Sequence, residues 1–409
     1  MLTTTSREPL RILYVTETVP GRAGFGGELR CLHIARALAE VGRVEVAHLR
    51  KPGEDHSAAE RDAEFPLVSA LEVRPRPNHG LAGLLRWTFD PRSNYPFGLG
   101  VDAEAASRLR AMLGNYDLVW FFRLRAPDMF PNADWPRSVV DIDDLPTTYQ
   151  VAAIEKADGF RQRWMERRRM FAWRRRERLL GERFTALSVC SEDDRRSLEE
   201  IGVRSPVHVI PNGFEVPERE PEYRPASPPR FGFIGLLDYF PNRDAIDWFV
   251  RECWPLIRRR IPEARLRVAG QDREGFLRSS DPSIDVLGWI ADTDEEMKTW
   301  SAMVVPVRVG AGTRIKIAHA FSRKCPVVST THGAYGYGAT SGRELLLADT
   351  AEEFAAACVR MASEPAEAAG MAERAWKVFE EKWSWDAIRP RVHAAVESCL
   401  QGSAVQNIL

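Results

Sequence analysis

The feature that most constrains the fold is an alternation of short apolar strands and amphipathic helices. It runs through the chain twice, once before and once after a single irregular stretch. The first round opens with RILYV, a β-prone run, and continues with a helical pattern in ELRCLHIARALAEVG and a strand in VEVAHLR. Strand, helix and strand in close succession predict a parallel βαβ unit. The alternation therefore predicts an α/β protein with doubly wound parallel sheets.

Further apolar runs extend both rounds. They are YDLVWFF, SVVDIDD, TALSVCS and VHVIPNG in the first, and RFGFIGLL, ARLRVAG, IDVLGWI, SAMVVPV, CPVVSTT and ELLLAD in the second. Between them, GFEVPEREPEYRPASPPR is rich in proline and charge and lacks periodicity, which is typical of an interdomain linker. We predict an N-terminal Rossmann-like domain at 1–215, a linker at 216–229, and a second Rossmann-like domain from 230 onwards. Two such domains predict a ligand cleft lined by the loops that follow the strands.

Composition limits the class of protein and its partners. The 409 residues carry a formal net charge of -1, so no global field attracts nucleic acid. Six scattered cysteines include no C-x-x-C pair, which indicates neither a zinc site nor a disulfide framework. The stretch MLTTTSREPLRILYV has no apolar signal-peptide core, and the chain has no apolar run long enough to span a membrane. We expect a cytoplasmic protein.

The stretch VPVRVGAGTRIKIAH, at 305–319, combines glycines and positive charge after a buried strand. Gly310 and Gly312 would let the backbone approach a ligand closely, and the following helix would offer unpaired N–H donors. Arg314 and Lys316 add charge where the helix dipole disfavours cations, a conflict that a bound diphosphate would offset. The alternative is a glycine-softened turn with two solvated cations.

A second glycine loop, Gly24-Phe-Gly-Gly27, precedes the first helix. A dinucleotide fingerprint would need a third glycine where Leu29 stands, so we do not expect an NAD site. The backbone at Gly26 and Gly27 could still approach a sugar or a phosphate. A flexible turn is the alternative.

Three carboxylates follow the strand in SVVDIDD: Asp141, Asp143 and Asp144. Crowded carboxylates are costly unless they face a hydroxyl, a cation or water. We predict that one of them is a general base or holds a sugar hydroxyl. Helix capping is the alternative role for each.

The segment FRQRWMERRRMFAWRRRERLLGERF is basic and aromatic. Its arginines outnumber its acids, and they are Arg161, Arg163, Arg167, Arg168, Arg169, Arg174, Arg175, Arg176, Arg178 and Arg183. Such a helix could lie on anionic lipid headgroups or hold an anionic acceptor. A solvated helix face is the alternative.

Several motifs together resemble GT-B fold glycosyltransferases, and glycosyltransferase family 4 with its bacterial exopolysaccharide sugar transferases in particular. The motifs are FGFIGLLDYFPNRDAIDWF, VLGWI, VPVRVGAGTRIKIAHAFSRKCPVVSTTHGAYGYG and ELLLAD, together with RILYVTETVP, GGELR and VIPNGFE near the N-terminus and linker. The segment WSWDAI is similar to the tail helix that returns to the first domain in this family. The resemblance implies a second domain at 230–380 and a crossing helix at 381–409.

The resemblance also implies an activity, a substrate and a site. The activity is transfer of a hexosyl group from a nucleotide-diphosphate sugar, with no cofactor and no obligatory metal, to a saccharide or lipid-linked acceptor in polysaccharide or glycoconjugate assembly. The donor would lie on the second domain and the acceptor on the first. Donor contacts are implied for Gly26, Gly27, Gly235, Asn242, Gly312, Thr313, Arg314 and Lys316.

The chain departs from the family where two glutamates are usual, because Ala311 and His319 occupy their places. A histidine can hydrogen-bond a ribose hydroxyl, so His319 stays a candidate donor contact. Tyr335 stands where relatives often have an acidic residue, and is also a candidate. The departures leave two alternatives open: a non-catalytic GT-B protein that binds a nucleotide sugar or an assembly partner, and a sugar-nucleotide epimerase.

Overall fold

The structure is a computed structural model that divides into two compact units. It describes residues 9–21, 26–51, 53–75, 80–91, 99–130, 135–155, 157, 159–277, 281–290, 292–310 and 312–406. The first unit comprises Met1–Ile210 and Arg389–Leu409, and the second comprises Pro211–Ile388. Each unit has its own hydrophobic core.

The first unit alternates strands and helices, as its apolar pattern predicts. Its elements are β1 (Leu10–Thr16), α1 (Gly27–Ala39), β2 (Gly42–Arg50), α2 (Ser57–Arg61), β3 (Leu67–Pro75), α3 (Gly80–Phe89), β4 (Leu99–Val101), α4 (Ala103–Leu113), β5 (Leu118–Phe122), α5 (Arg125–Asp128), β6 (Trp135–Asp141), α6 (Pro146–Glu155), α7 (Gly159–Arg178), α8 (Leu180–Arg183), β7 (Phe184–Val189), α9 (Glu192–Glu200) and β8 (Val207–Val209). The sheet order is β4-β3-β2-β1-β5-β6-β7-β8. All neighbouring strands run parallel except the edge pair β3 and β4.

The second unit also alternates strands and helices. Its elements are β9 (Arg230–Ile234), α10 (Phe240–Trp248), α11 (Trp254–Arg260), β10 (Arg265–Ala269), β11 (Ile284–Gly288), α12 (Thr293–Met297), β12 (Ala302–Val305), α13 (Ile315–Phe321), β13 (Val327–Ser329), β14 (Leu346–Leu347), α14 (Ala351–Ser363), α15 (Pro365–Val378) and α16 (Trp385–Gln406). Helix α16 ends among the residues that group with the first unit. Within that unit, His393 Nε2 lies 3.0 Å from the Ala37 carbonyl oxygen.

The parallel sheet of the second unit has the order β11-β10-β9-β12-β13-β14. Its first strand in sequence, β9, lies in the middle, and the chain adds strands on one side and then on the other. The order therefore reverses between β9 and β12. Ligands of open α/β sheets bind beyond the carboxyl ends of the strands at such a switch point. The loops after β9 and β12 are where a ligand site is expected.

Two segments differ in detail from the sequence pattern. The stretch DAIDWFVRECWPLIRRR, predicted as one helix, is divided into α10 and α11 by a π-helical turn at Phe249–Cys253. Pro255 explains the break, because proline lacks an N–H and clashes with the preceding turn of a regular helix. The stretch 216–229, predicted as a linker, contains no helix or strand and belongs to the second unit. It is held there by bonds such as Ala226 N–H to Thr299 O, at 2.8 Å.

Candidate functional site

A lysine and an asparagine meet at the switch point of the second unit. Lys316, on α13, donates to Asn242 Oδ1 at 2.9 Å, and its ammonium lies 4.2 Å from the ring centroid of Phe233 in β9. Asn242 Nδ2 in turn donates to the Leu236 carbonyl at 2.9 Å. Gly235, directly after β9, lies against Asn242, because a Cβ atom at Gly235 would sit 2.7 Å from Asn242 Nδ2. Three predicted contacts, Gly235, Asn242 and Lys316, are thus brought together.

The charge of Lys316 is destabilised by its surroundings. Burial and, to a smaller extent, the neighbouring Arg314 together lower the pKa of the Lys316 ammonium to about 7. Among the described residues, no carboxylate contributes to this shift. An anion in contact with Lys316 would favour the charged ammonium. The site is therefore built to gain from a negatively charged ligand.

Arg314 lies in the loop after β12 and folds back over that loop. Its Nη1 donates to Gly312 O at 3.0 Å and its Nη2 to Val309 O at 3.3 Å. His332, which follows β13, brings its Nε2 to 3.0 Å from Gly310 O and 3.3 Å from Arg314 Nη2. Gly310 and Gly312 have φ angles of 106° and 72°, in the region that favours glycine. The predicted glycine loop is thus shaped around the Arg314 guanidinium.

Helix α13 contributes less than the sequence suggests. It has seven residues, so its dipole is small, and the positive charge comes from side chains. The Tyr337 hydroxyl donates to Arg314 O at 2.8 Å and accepts from Ala318 N–H at 3.1 Å, which fixes the first turn. Thr313 is buried, and its hydroxyl accepts from Asn212 Nδ2 at 3.2 Å. Thr313 thus positions the loop through Asn212.

His319 lies in a different environment from Lys316. Its ring stacks on Phe214 with centroids 4.1 Å apart, and its Nε2 is 3.5 Å from Asp294 Oδ1. Burial lowers the pKa of His319, so the imidazole is neutral at pH 7. Burial alone would raise the pKa of Asp294, but bonds from His319 and Arg323 outweigh it and lower the value to about 2. A neutral imidazole beside a fixed carboxylate can exchange hydrogen bonds with a polar ligand.

Tyr335 and Ala311 complete the predicted set in this unit. Tyr335 is half-buried in the turn after β13, and its N–H donates to His332 O at 3.3 Å. This bond holds Tyr335 next to His332, the residue that contacts Gly310. Ala311, in the place of the usual first glutamate, lies outside the described residues.

In the first unit, Asp141 is fully buried in an ion pair. Its carboxylate accepts from Arg30 Nη2 at 2.6 Å and Arg30 Nε at 2.9 Å, and from Ser188 Oγ at 2.7 Å. Neither Arg30 nor Asp141 is exposed to solvent. A general base must reach its substrate, so this geometry argues against the catalytic role predicted for Asp141. The carboxylate instead joins α1, β6 and β7.

Asp143 and Arg123 form a second pair near the carboxyl ends of neighbouring strands. Arg123 Nε lies 3.3 Å from Asp143 Oδ2, and Cys190 Sγ lies 3.1 Å from Asp143 Oδ1. Both Arg123 and Asp143 have positive φ angles, 67° and 64°. Such strained backbone clusters at functional sites and ligand clamps. Asp144 beside them is exposed and stays a predicted general base.

The glycine loop before α1 lies against this pair. A Cβ atom at Gly27 would sit 1.9 Å from Arg123 Nη2, so only glycine allows the guanidinium this position. Gly26 is the N-cap residue of α1, with a φ of 55°. Gly24 and Phe25 of the predicted loop lie outside the described residues. The structure thus connects Gly27 to the acidic loop through an arginine that the sequence patterns did not single out.

Asp143, Asp144 and Cys190 also have ligand atoms within 4.8 Å of one another. Metal binding would require the Cys190 thiolate. Burial raises the pKa of this thiol well above its ordinary value, so it is protonated at neutral pH. A metal ion would therefore have to displace the thiol proton to bind Cys190.

Three contact residues were missed from the sequence: Arg123, His332 and Tyr337. Each follows a strand, in FFRLR or in THGAYGYG, so position alone could have marked them. Their roles depend on long-range partners, which periodicity does not predict.

Within the described ranges, no helix is both long and apolar enough to span a bilayer.

One known protein family matches the part of the chain that contains Lys316. Residues 228–364 match the family described as "Glycosyl transferases group 1". This segment is therefore similar to a group 1 glycosyltransferase domain. It begins just before β9 and ends after α14, so it contains Asn242, Arg314, Lys316 and His332.

Several solved structures are similar to this protein over both of its units. Anabaena HepE in complex with UDP-glucose matches with a TM-score of 0.62 and 14% identity, over 95% of this chain and 100% of that one. WaaG, a glycosyltransferase involved in lipopolysaccharide biosynthesis, matches with a TM-score of 0.60 and 15% identity, over 94% and 99%. The two α/β units with parallel-sheet cores therefore match GT-B glycosyltransferase structures.

A curated relative is more similar in sequence over a shorter stretch. It is an uncharacterised 44.6 kDa protein in the cps region of Klebsiella pneumoniae, 25% identical over 157 residues. The match spans 36% of this chain and 40% of that relative.

Proposed function

We propose that the protein is a glycosyltransferase, similar to family 4, that moves a hexosyl group from a nucleotide-diphosphate sugar to a saccharide or lipid-linked acceptor. The observation that carries the proposal is the position of Lys316 and Arg314. Both lie at the switch point of the sheet, within the segment that matches the group 1 glycosyltransferase family. A polyanion that binds there would relieve the unfavourable protonation of Lys316.

The chemistry of transfer fits these cations. When the sugar–phosphate bond breaks, negative charge develops on the departing nucleotide diphosphate. Positioned cations in a site with little water stabilise such charge more than they stabilise the substrate. Lys316 and Arg314 would supply that stabilisation without a metal ion.

The printed descriptions of similar proteins guide the choice of substrates. HepE structures contain UDP, UDP with glucose, or UDP-glucose, so uridine nucleotides come first in a donor screen. The cps-region relative and WaaG favour an acceptor in polysaccharide or glycoconjugate assembly. Transfer at the cytoplasmic face of a membrane would suit such an acceptor.

Acceptor activation is proposed for the first unit. Asp144 is exposed beside the Arg123–Asp143 pair, and it could accept a proton from an acceptor hydroxyl. Asp143 is held by Arg123 and Cys190, so it positions the loop rather than moving a proton.

The test begins with thermal stabilisation by UDP, ADP, GDP and their sugars, in buffer with a metal chelator. We expect a shift for one base, followed by sugar transfer in an acceptor screen. The double variant Arg314→Ala/Lys316→Ala should lose the nucleotide-induced shift, since each charged hydrogen bond contributes about 1.5–3 kcal/mol. The matched control is Arg259→Ala/Arg260→Ala, which removes two arginines from the last turn of α11. Equal nucleotide binding by both double variants would contradict the site assignment.

A second candidate function is nucleotide-sugar binding without transfer. It is favoured by His319, which stands in the place of a usual glutamate and is stacked on Phe214 beside Asp294. The binding protein would show the same thermal shift as the enzyme. Neither transfer to any acceptor nor donor hydrolysis would accompany it.

A further inference from the structure

Helix α3 turns an apolar stripe towards solvent. Leu81, Leu84, Leu85 and Phe89 follow one another at the spacing of a single helix face, with exposed fractions of 72%, 42%, 50% and 57%. Trp87 and Thr88, in the last turn of α3, are buried. A surface helix normally buries its apolar stripe and exposes its polar face. The exposed apolar stripe of α3 points to a surface that meets something other than water.

Helix α7 packs beside α3 and extends this stripe. Trp87 meets Trp173 edge to face at 6.4 Å between ring centroids, and Phe89 meets Phe171 in the same way at 6.3 Å. Arg168 Nη1 also donates to Thr88 Oγ1 at 2.6 Å. These contacts fix the two helices to each other as one surface.

The exposed side of α7 is also aromatic. Phe160 is 85% exposed and Trp164 is 56% exposed, and both lie on the same helix face as Phe171. Two large rings in water at adjacent turns of one helix are unfavourable unless they are covered. We call Leu81, Leu84, Leu85, Phe89, Phe160, Trp164 and Phe171, with the exposed arginines of α7, the α3–α7 surface.

Positive charge surrounds these apolar side chains. Helix α7 contains nine arginines and two glutamates, a difference of seven positive charges, in a chain whose net charge is -1. Arg176 is buried against Asp128 and has a structural role. The exposed ones are Arg161, Arg163, Arg167, Arg169, Arg174 and Arg178.

We propose that the α3–α7 surface docks on a membrane that contains anionic phospholipids. Apolar side chains would enter the boundary between headgroups and acyl chains, while the arginines contact lipid phosphates. A solvated helix face would explain the arginines but not the exposed stripe on α3. A second copy of this chain is disfavoured as the occupant, because a two-fold interface would bring two strongly positive helices together.

The first experiment is flotation of the purified protein with vesicles, in the absence of nucleotide. We expect binding to vesicles of equal parts phosphatidylcholine and phosphatidylglycerol, reduced by added salt, and little binding to phosphatidylcholine alone. The triple variant Arg161→Ser/Arg163→Ser/Arg167→Ser should weaken binding about a hundredfold, at about fivefold per basic residue. Arg251→Ser/Arg259→Ser/Arg260→Ser removes three exposed arginines from the second unit and should leave binding unchanged.

A second measurement tests insertion of the apolar side chains. All six native cysteines are buried, so an environment-sensitive dye can be attached selectively to Phe160→Cys. We expect its emission to shift to the blue with anionic vesicles. The variant Leu81→Ser/Leu85→Ser should lower vesicle affinity while its thermal stability is kept, because both side chains are exposed.

Three outcomes would overturn the proposal. They are no flotation with anionic vesicles, equal loss of binding in the two arginine triple variants, and self-association in sedimentation that Phe160→Ser abolishes while vesicles do not bind. Nucleotide is absent from these assays, so each outcome leaves the proposed glycosyl transfer untouched.

Discussion

Replacing Lys316 with methionine tests the site most directly, because the structure predicts opposite effects on binding and on stability. Methionine keeps most of the length and volume of lysine but carries no charge. The variant removes the bond to Asn242 and the ammonium that lies over the Phe233 ring. We expect Lys316→Met to bind nucleotide sugar more weakly and to unfold less readily than the parent protein.

The stability change follows from the pKa of Lys316. It is about 7 in the folded protein, against an ordinary value of 10.5. Between these pH values the unfolded chain binds more protons than the folded one, so stability rises with pH through this window. The unfavourable effect of the buried charge is fully present below pH 7. Lys316→Met should therefore raise the free energy of unfolding at pH 6 by about 1–3 kcal/mol, the usual range for a poorly paired buried polar group.

The binding change depends on pH in the opposite sense. A bound diphosphate raises the pKa of Lys316, so binding takes up a proton above about pH 7. Affinity should then fall by close to tenfold for each pH unit above 7, until the pKa of the bound state is reached. A nucleotide sugar is the better ligand for this test, since its diphosphate does not itself titrate near neutrality.

Isothermal titration calorimetry at several pH values measures both the affinity and the proton uptake, when each pH is repeated in two buffers of different ionisation enthalpy. Denaturant unfolding at pH 6 and pH 10 supplies the stability arm. Lys316→Arg is the matched control, because it keeps a charge that does not titrate in this range. If Lys316→Met shows the parental slope of affinity with pH, the ligand does not contact this ammonium. If the variant is also less stable at pH 6, the buried-charge argument itself is wrong.

Other predictions address the first unit and His319. Asp141→Ala should lower the free energy of unfolding by about 3–5 kcal/mol, because it removes the carboxylate that accepts two hydrogen bonds from the buried Arg30; Asp144→Ala should leave urea unfolding unchanged and slow sugar transfer. Equal stability of the two variants would contradict the structural role of Asp141. Gly27→Ala should slow transfer without weakening nucleotide binding, since its Cβ would displace the Arg123 guanidinium; transfer at the parental rate would exclude that coupling. His319→Glu should place a second carboxylate beside Asp294 and raise the pKa of the new acid, so the melting temperature should fall more at pH 8 than at pH 5; a uniform change across this range would refute it.

Most strands of both units, and the loops at their carboxyl ends, could be predicted from apolar runs alone. Lys316 and Asn242, 74 positions apart in sequence, each lie in the first turn of the helix that follows such a loop, but their direct contact depends on strand order. The same limit explains Asp141. Its sequence neighbours suggest a crowded acidic loop, whereas its actual partner, Arg30, comes from a helix 111 positions away.

The arginine-rich segment shows a limit of a different kind. Its charge can be counted from the sequence, yet a solvated face and a membrane surface share that count. The exposed stripe on α3 separates the two, and it becomes visible only where Trp87 and Phe89 pack on α7.

Strands β3 and β4, beside that helix in sequence, also lie in a region for which the apolar pattern predicts no element.

The π-helical turn at Phe249–Cys253 adds one residue to the helical stretch that runs from Phe240 to Arg260. Each residue of an α-helix advances the side chains by about 100°. A π turn holds about one residue more than an α turn, so regular α-helical winding of the same residues would rotate α11 relative to α10 by about that angle. Trp254 and Ile257, both buried now, would leave the core, and Trp254 Nε1 would lose its 3.0 Å bond to Ser283 Oγ. The length of this turn, rather than the composition of α11, thus determines which side of the helix faces inward.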